Sequence, residues 1–115
     1  MSDPQFLAEA ERVLRELERE LEERLGVAEE SNEAPAMNSA VGRLTFMDAY
    51  QQHQMKLHAQ RKMSTQLSSV RAALERIREG TYGVCLSCGI AIAPERLEYL
   101  PDTPYCTQCN AKRGS

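Results

Sequence analysis

The sequence predicts a mainly α-helical protein, built as a long antiparallel coiled-coil hairpin followed by a small four-cysteine finger. Three observations predict it: an apolar heptad stripe from Leu7 to Leu21, a second stripe from Met63 to Ile77, and four cysteines gathered near the C-terminal end as two Cys-x-x-Cys pairs. The 115 residues suffice for about one domain. With two Phe and no Trp, such a chain buries only a modest core, so a metal or long helix packing has to add stability.

The first helix is expected over about residues 4–30. No Gly or Pro falls between Gln5 and Leu25, and Leu7, Leu14 and Leu21 recur every seven residues with Ala10 and Leu17 between them, the a/d pattern of a coiled coil. Asp3 followed by Pro4 supplies a cap and a favoured first helical residue, and Gly26 marks a fraying point near the end. The Glu run from Glu16 to Glu23 reads as a solvated face.

The second helix is expected from Arg43 to Glu79, another stretch without Gly or Pro. Met63, Leu67, Val70, Leu74 and Ile77 keep the alternating four-and-three spacing of a second seam, and Gly80 stops the helix. A helix of this length is a rod of roughly 50 Å, longer than a small globular domain needs. The intervening SNEAPAMNSAVG suits a reversing turn. Residues 1–80 are therefore assigned to the hairpin, with its tip at about 32–48 and Arg43 and Asp48 near it, and residues 81–115 to the finger. On pattern alone the tip can equally be a mere connection. The middle of the second helix, YQQHQMKLHAQRK, is polar, so the seam loosens there. His53 and His58 are five residues apart rather than four, which suits solvated side chains better than metal ligands. Met47, Met55 and Met63 read as adaptable packing residues.

Cys85 and Cys88, then Cys106 and Cys109, have the two-pair spacing of a tetrahedral zinc site. Gly89 follows the first pair where the chain must turn, and Pro94, Pro101 and Pro104 stiffen the connecting loop. A thioredoxin-like centre would want one pair in a βαβ setting. A catalytic zinc keeps one position for water, whereas four thiolates close the shell. One structural zinc ion is expected, and no enzymatic activity, since no Ser-His-Asp, paired-carboxylate or phosphate-loop motif accompanies it.

Residues 1–40 carry 11 acidic and 4 basic side chains, net −7, and residues 41–115 are net +4. An acidic chain does not suit non-specific coating of nucleic acid, which depends on neutralising phosphates with Lys and Arg. The N-terminal MSDPQFLAEAERVL lacks a basic start and an apolar run, and no window resembles a membrane span. A cytoplasmic location is expected, where clustered thiols are more often metal ligands than disulfides.

The stretch LERIREGTYGVCLSCGIAIAPERLEYLPDTPYCTQC resembles the DksA/TraR family of bacterial C4-type zinc-finger transcription regulators, the DnaK suppressor protein-like proteins. The likeness includes Gly80, Tyr82, Gly83, Ile92, Arg96, Leu97 and Pro101. VGRLTFMDA is similar to the tip-proximal part of the family's shorter members. The resemblance implies a short C-terminal helix from near Thr107 and a partner, RNA polymerase, entered by the hairpin through the secondary channel without DNA contact. It implies a polymerase-facing tip, although the family's Asp-x-x-Asp-x-Ala signature is missing and Asp48-Ala49 is the nearest substitute. It also implies a nucleotide or polymerase contact at Arg96. Ser69, Leu100 and Asn110 replace expected basic residues, so guanosine tetraphosphate is expected to add little. A monomeric, polymerase-binding, non-enzymatic regulator is the leading expectation. The alternatives are a zinc-ribbon adaptor whose hairpin docks another protein, or a weak nucleic-acid-binding finger. Sequence-specific DNA binding is not expected, because the finger offers only Arg96, Lys112 and Arg113.

Overall fold

The computed structural model describes residues 3–30 and 43–113. Along them run α1 (Pro4–Glu30), α2 (Arg43–Glu79), α3 (Pro94–Tyr99) and α4 (Thr107–Lys112). The limits of α1 and α2 match those expected from the heptads, and α4 begins at the expected Thr107. The turn expected between the long helices lies outside the described residues, as does the Arg43 side chain. Helix α3 was not expected from the sequence. Pro94, read as a loop stiffener, instead occupies the first turn of α3, where its fixed φ suits a helix and its missing N–H is not needed.

Local signals set both ends of the hairpin. The Asp3 carboxylate accepts from the Gln5 N–H at 3.2 Å, and the Asp3 carbonyl from the Leu7 N–H at 3.0 Å, so Asp3 caps α1. At the end of α2, Gly80 adopts φ +84°, a conformation that favours glycine. The Gly80 N–H donates to Ile77 O at 3.2 Å and the Thr81 N–H to Arg76 O at 2.8 Å, the paired bonds of a Schellman stop. Gly26 does not interrupt α1, which continues to Glu30.

The two long helices run antiparallel. Leu14 and Val70 are fully buried at the seam, with Ala10, Leu21, Leu67 and Ala73 beside them. Leu7, Leu17, Leu25, Met63, Leu74 and Ile77 pack around this line. Arg71 of α2 reaches Glu18 at 3.2 Å and also pairs with Glu22 of α1. Farther out, the Gln60 amide donates to the Ala28 carbonyl at 3.2 Å. That bond supplies a partner to a carbonyl in the last turn of α1, where helical acceptors run out of N–H groups.

The core continues without a break from the seam into Tyr82, Cys85, Ile92, Leu97 and Cys106. The molecule measures 64 × 29 × 20 Å, with a radius of gyration of 19.1 Å. A compact domain of this length would have roughly 13 Å. Elongation comes from α2, whose 37 residues span about 55 Å at the helical rise.

Candidate metal centre

The finger begins immediately after the Gly80 stop. Its first cysteine pair sits in a tight turn with almost no sheet of its own: a single antiparallel bridge links Val84 and Ala91. Across that turn the Cys85 N–H donates to Ile90 O at 2.8 Å, the Gly89 N–H to Cys85 O at 3.0 Å, and the Ile92 N–H to Gly83 O at 2.8 Å. Gly83 has φ +86°, and a Cβ there would lie 3.5 Å from Leu97 Cδ1. That distance is an ordinary van der Waals contact, so it is the backbone conformation that favours glycine at this point.

The second pair is presented by α4. Cys106 is its N-cap residue, and Asn110 N–H donates back to Cys106 O at 2.9 Å. The Arg113 guanidinium stacks 4.4 Å from the Tyr105 ring centroid, a cation–π contact that pins the far end of this short helix. Between the pairs, the Leu86 N–H donates to Pro104 O at 2.9 Å, so the two turns are joined by backbone before any metal is considered.

The four sulfur atoms converge: Sγ of Cys85, Cys88, Cys106 and Cys109 all lie within 4.8 Å of one another. Cys88 and Cys106 are 3.8 Å apart. A tetrahedron of thiolates at the usual Zn–S distance of about 2.3 Å has edges of roughly 3.8 Å, so the set fits one zinc ion. Cys85 and Cys106 are buried, Cys109 is half-buried and Cys88 is exposed.

Their protonation chemistry agrees. Burial opposes ionisation of Cys85, yet the backbone amides of Cys106, Cys88 and Ser87 outweigh it and pull the thiol down to about 6. The sulfurs of Cys88 and Cys106, followed by burial, push Cys109 up to about 12. One thiolate therefore forms readily, and its neighbours make the last one costly. A divalent cation removes that repulsion and lets all four serve as ligands. Among the described residues these cysteines are the one group of three or more metal-ligating side chains so placed. His53, half-buried, and His58, exposed, lie on α2 outside it.

Residues 80–113 match the prokaryotic dksA/traR C4-type zinc finger. The chain belongs to the DksA/TraR family. It is 36% identical over 90 residues to an uncharacterised protein of Aquifex aeolicus (strain VF5), a match that takes in 78% of this chain and 57% of that one. The chain thus spans a little over half the length of that relative. Solved structures share its fold, among them two bacterial proteins. The transcription factor DksA2 from Pseudomonas aeruginosa superposes with a TM-score of 0.79 at 22% identity, over 98% of this chain and 86% of that chain. The DnaK suppressor protein from Agrobacterium tumefaciens C58 gives 0.60 at 32% identity, over 91% of each chain.

In this DksA/TraR finger Arg96 is half-buried on α3. Its Nε donates to Tyr105 O at 3.1 Å and its Nη2 to Thr103 Oγ1 at 3.4 Å. The Thr103 hydroxyl donates to the same Tyr105 carbonyl at 3.1 Å, so Arg96 braces the approach to Cys106. Ser69 donates its hydroxyl to Asp102 O at 3.0 Å. Leu100 and Asn110 are exposed. Toward the other end of the rod, Asp48 is exposed beside Thr45, Met47 and Gln51 in an open depression of α2, while Ala49 is half-buried. Cysteine spacing pointed to the ligands. It carried no sign of Ser69 and Arg96 as braces, because their carbonyl partners can be any residue.

Proposed function

We propose that this protein is a non-enzymatic transcription regulator that binds RNA polymerase by inserting its hairpin into the secondary channel. The observation that carries this reading is the uninterrupted α2, about 55 Å long by its helical rise, with the finger at its base. A deep, narrow channel is reached only by a long thin element, and an antiparallel helix pair is the thinnest one that buries its own apolar seam. Membership of the DksA/TraR family, and the likeness to a protein named as a transcription factor, support the same reading.

In this proposal residues 1–80 form the inserted hairpin and residues 81–115 the zinc finger that seats it. Arg43, Asp48 and Ala49 form the part nearest the partner's reacting centre. Zinc is structural, because four thiolates leave it no position for water. Guanosine tetraphosphate adds little, because a tetraphosphate needs several converging cations, Ser69, Leu100 and Asn110 supply none, and Arg96 already holds Tyr105 and Thr103. The protein works as a cytoplasmic monomer without sequence-specific DNA contacts. No helix among the described residues is long and apolar enough to cross a membrane.

Binding of the zinc-loaded protein to polymerase core tests the reading. Saturable binding, lost on addition of another secondary-channel factor, is expected. Salt-sensitive binding to DNA alone, with no competition at polymerase, would overturn it in favour of a nucleic-acid finger. Binding to a different protein through the hairpin would favour an adaptor.

A further inference from the structure

From Ala49 to Leu74 helix α2 carries Lys56, Arg61, Lys62 and Arg71 and no Asp or Glu. Arg71 pairs with Glu18 and Glu22 of α1. Lys56, Arg61 and Lys62 are exposed and form no ion pair among the described residues. In α1 the reverse holds: every glutamate from Glu9 to Glu22 is in an ion pair. A surface helix gains support from acids placed three or four residues from its cations, and α1 uses this device throughout. The distal half of α2 leaves its positive charge open.

That charge shares a face with exposed apolar side chains. Met47, Tyr50, Gln54, His58, Arg61 and Thr65 are all exposed and follow one another at intervals of three and four, so they form one stripe. It runs on the opposite side of α2 from the seam residues Met63, Leu67 and Val70. Met55 and Lys62 lie beside it, three residues before and four after His58. Met55 is 70% exposed, Met47 49% and Tyr50 45%. Single exposed apolar side chains are ordinary, but three on one face within about 12 Å make a patch. The Tyr50 ring stacks on Phe46, with centroids 6.1 Å apart and planes at 28°, so it has less freedom to lose on docking.

The face is thus apolar toward the tip and cationic toward the finger, over about 22 Å from Met47 to Lys62. Tyr, Met and Arg are the residue types that protein interfaces favour. A nucleic-acid strand suits it less well. Only Arg61 and Lys62 on this face neutralise phosphate, and a strand laid along it would run beside the acidic first helix.

We propose that this outer face of α2 is the surface by which the hairpin docks, and that its partner is a protein surface with an apolar patch opposite Tyr50 and Met55 and carboxylates opposite Arg61 and Lys62. The proposal rests on the reading above, that the hairpin enters the polymerase channel. It adds which side of the rod meets the channel wall and what that wall must carry.

Equilibrium binding of the zinc-loaded full chain to polymerase core, at low and high salt, tests it. Arg61→Glu combined with Lys62→Glu is expected to weaken binding about tenfold or more at low salt and to flatten its salt dependence. Tyr50→Ala is expected to weaken binding about tenfold at either salt. Lys56→Glu makes the same kind of charge change on the same helix but off this face, and is expected to weaken binding less than about threefold. All four positions are exposed, so the helical signal of each variant should match the native one. If the double charge reversal fails to fold, Arg61→Gln combined with Lys62→Gln takes its place, with a loss of about threefold or more expected. Native affinity in a folded double variant, or an equal loss from Lys56→Glu, overturns the proposal and leaves the polymerase reading standing. No binding by the native protein removes that reading and the proposal with it. Binding to a single-stranded DNA or RNA oligonucleotide that the double variant loses to the same extent overturns it in favour of a nucleic-acid surface.

Discussion

The Tyr82 hydroxyl donates a 2.8 Å hydrogen bond to the Pro101 carbonyl, which ties the first residues after α2 to the segment leading into the second cysteine pair. Tyr82→Phe keeps the buried ring and removes the donor, leaving that carbonyl without this partner. Unfolding of the finger by denaturant should become easier by about 1 kcal/mol. Burial, partly offset by Arg76, pushes the Tyr82 pKa to about 12 from 10.0. The folded state thus holds this proton more tightly than the unfolded state does. Its contribution is complete below pH 10.0 and is lost as pH rises through about 12. A stability profile from pH 9 to 12 should show this decline in the native protein and a shallower one in Tyr82→Phe.

Metal content is the second expectation. The purified protein should hold about one zinc per chain, and Cys85→Ser or Cys106→Ser should unfold the finger while the hairpin keeps its helical signal. Because the ligands bind as thiolates, zinc affinity should fall as pH is lowered. Elemental analysis, circular dichroism and limited proteolysis with and without a chelator check all three points.

Two glycines separate a backbone cost at the helix stop from the same cost beside the metal ligands. At Gly80 a Cβ would meet nothing within 4 Å, yet φ is +84°, so Gly80→Ala should cost about 1–2 kcal/mol from conformation alone. Gly83 has φ +86° and only an ordinary van der Waals contact with Leu97 Cδ1 at 3.5 Å, so Gly83→Ala should cost a similar amount and, two residues before Cys85, should also weaken zinc retention. Comparing thermal stability with zinc release in the two variants tests the distinction.

At the seam, Leu14→Ala should destabilise the hairpin by about 2–5 kcal/mol, the usual range for truncating a fully buried leucine. Arg71→Gln removes the exposed pairs with Glu18 and Glu22 and should change stability far less, with the small change shrinking at high salt. Helix melting followed at two ionic strengths distinguishes the two.

Asp48 is exposed on α2 and, in the proposed mode, stands close to the polymerase reacting centre. Asp48→Asn should leave affinity for polymerase nearly unchanged and blunt the effect on transcription, since one exposed carboxylate adds little buried contact but does alter local electrostatics. Paired measurements of affinity and open-complex lifetime on the same variant test this. Normal lifetime would take Asp48 out of the site.

What could be read from sequence follows from where each signal resides. The long helices were legible because heptads, the Asp3 cap and the Gly80 stop act over one or two turns. The metal site was legible because ligand spacing is itself the signal. Helix α3 escaped notice because only Leu97 among its six residues is buried, too little to leave a period, and three prolines around it suggested a loop. The α2 side that holds the finger escaped for another reason. Ser69 and Asp102 are 33 residues apart in the chain, and a serine at this position looks like an ordinary solvated helix residue until the partner segment is placed beside it.

The 37-residue continuity of α2 makes it a lever with its fulcrum at the zinc-bearing end. With no break along its length to absorb bending, a pivot of about 5° at Gly80 sweeps the opposite end through roughly 5 Å, more than the reach of a hydrogen bond. Changes too small to disturb any contact in the finger therefore become changes of position at the remote end, and a residue such as Ser69, which joins α2 to the finger, acts on where Asp48 points without coming near it.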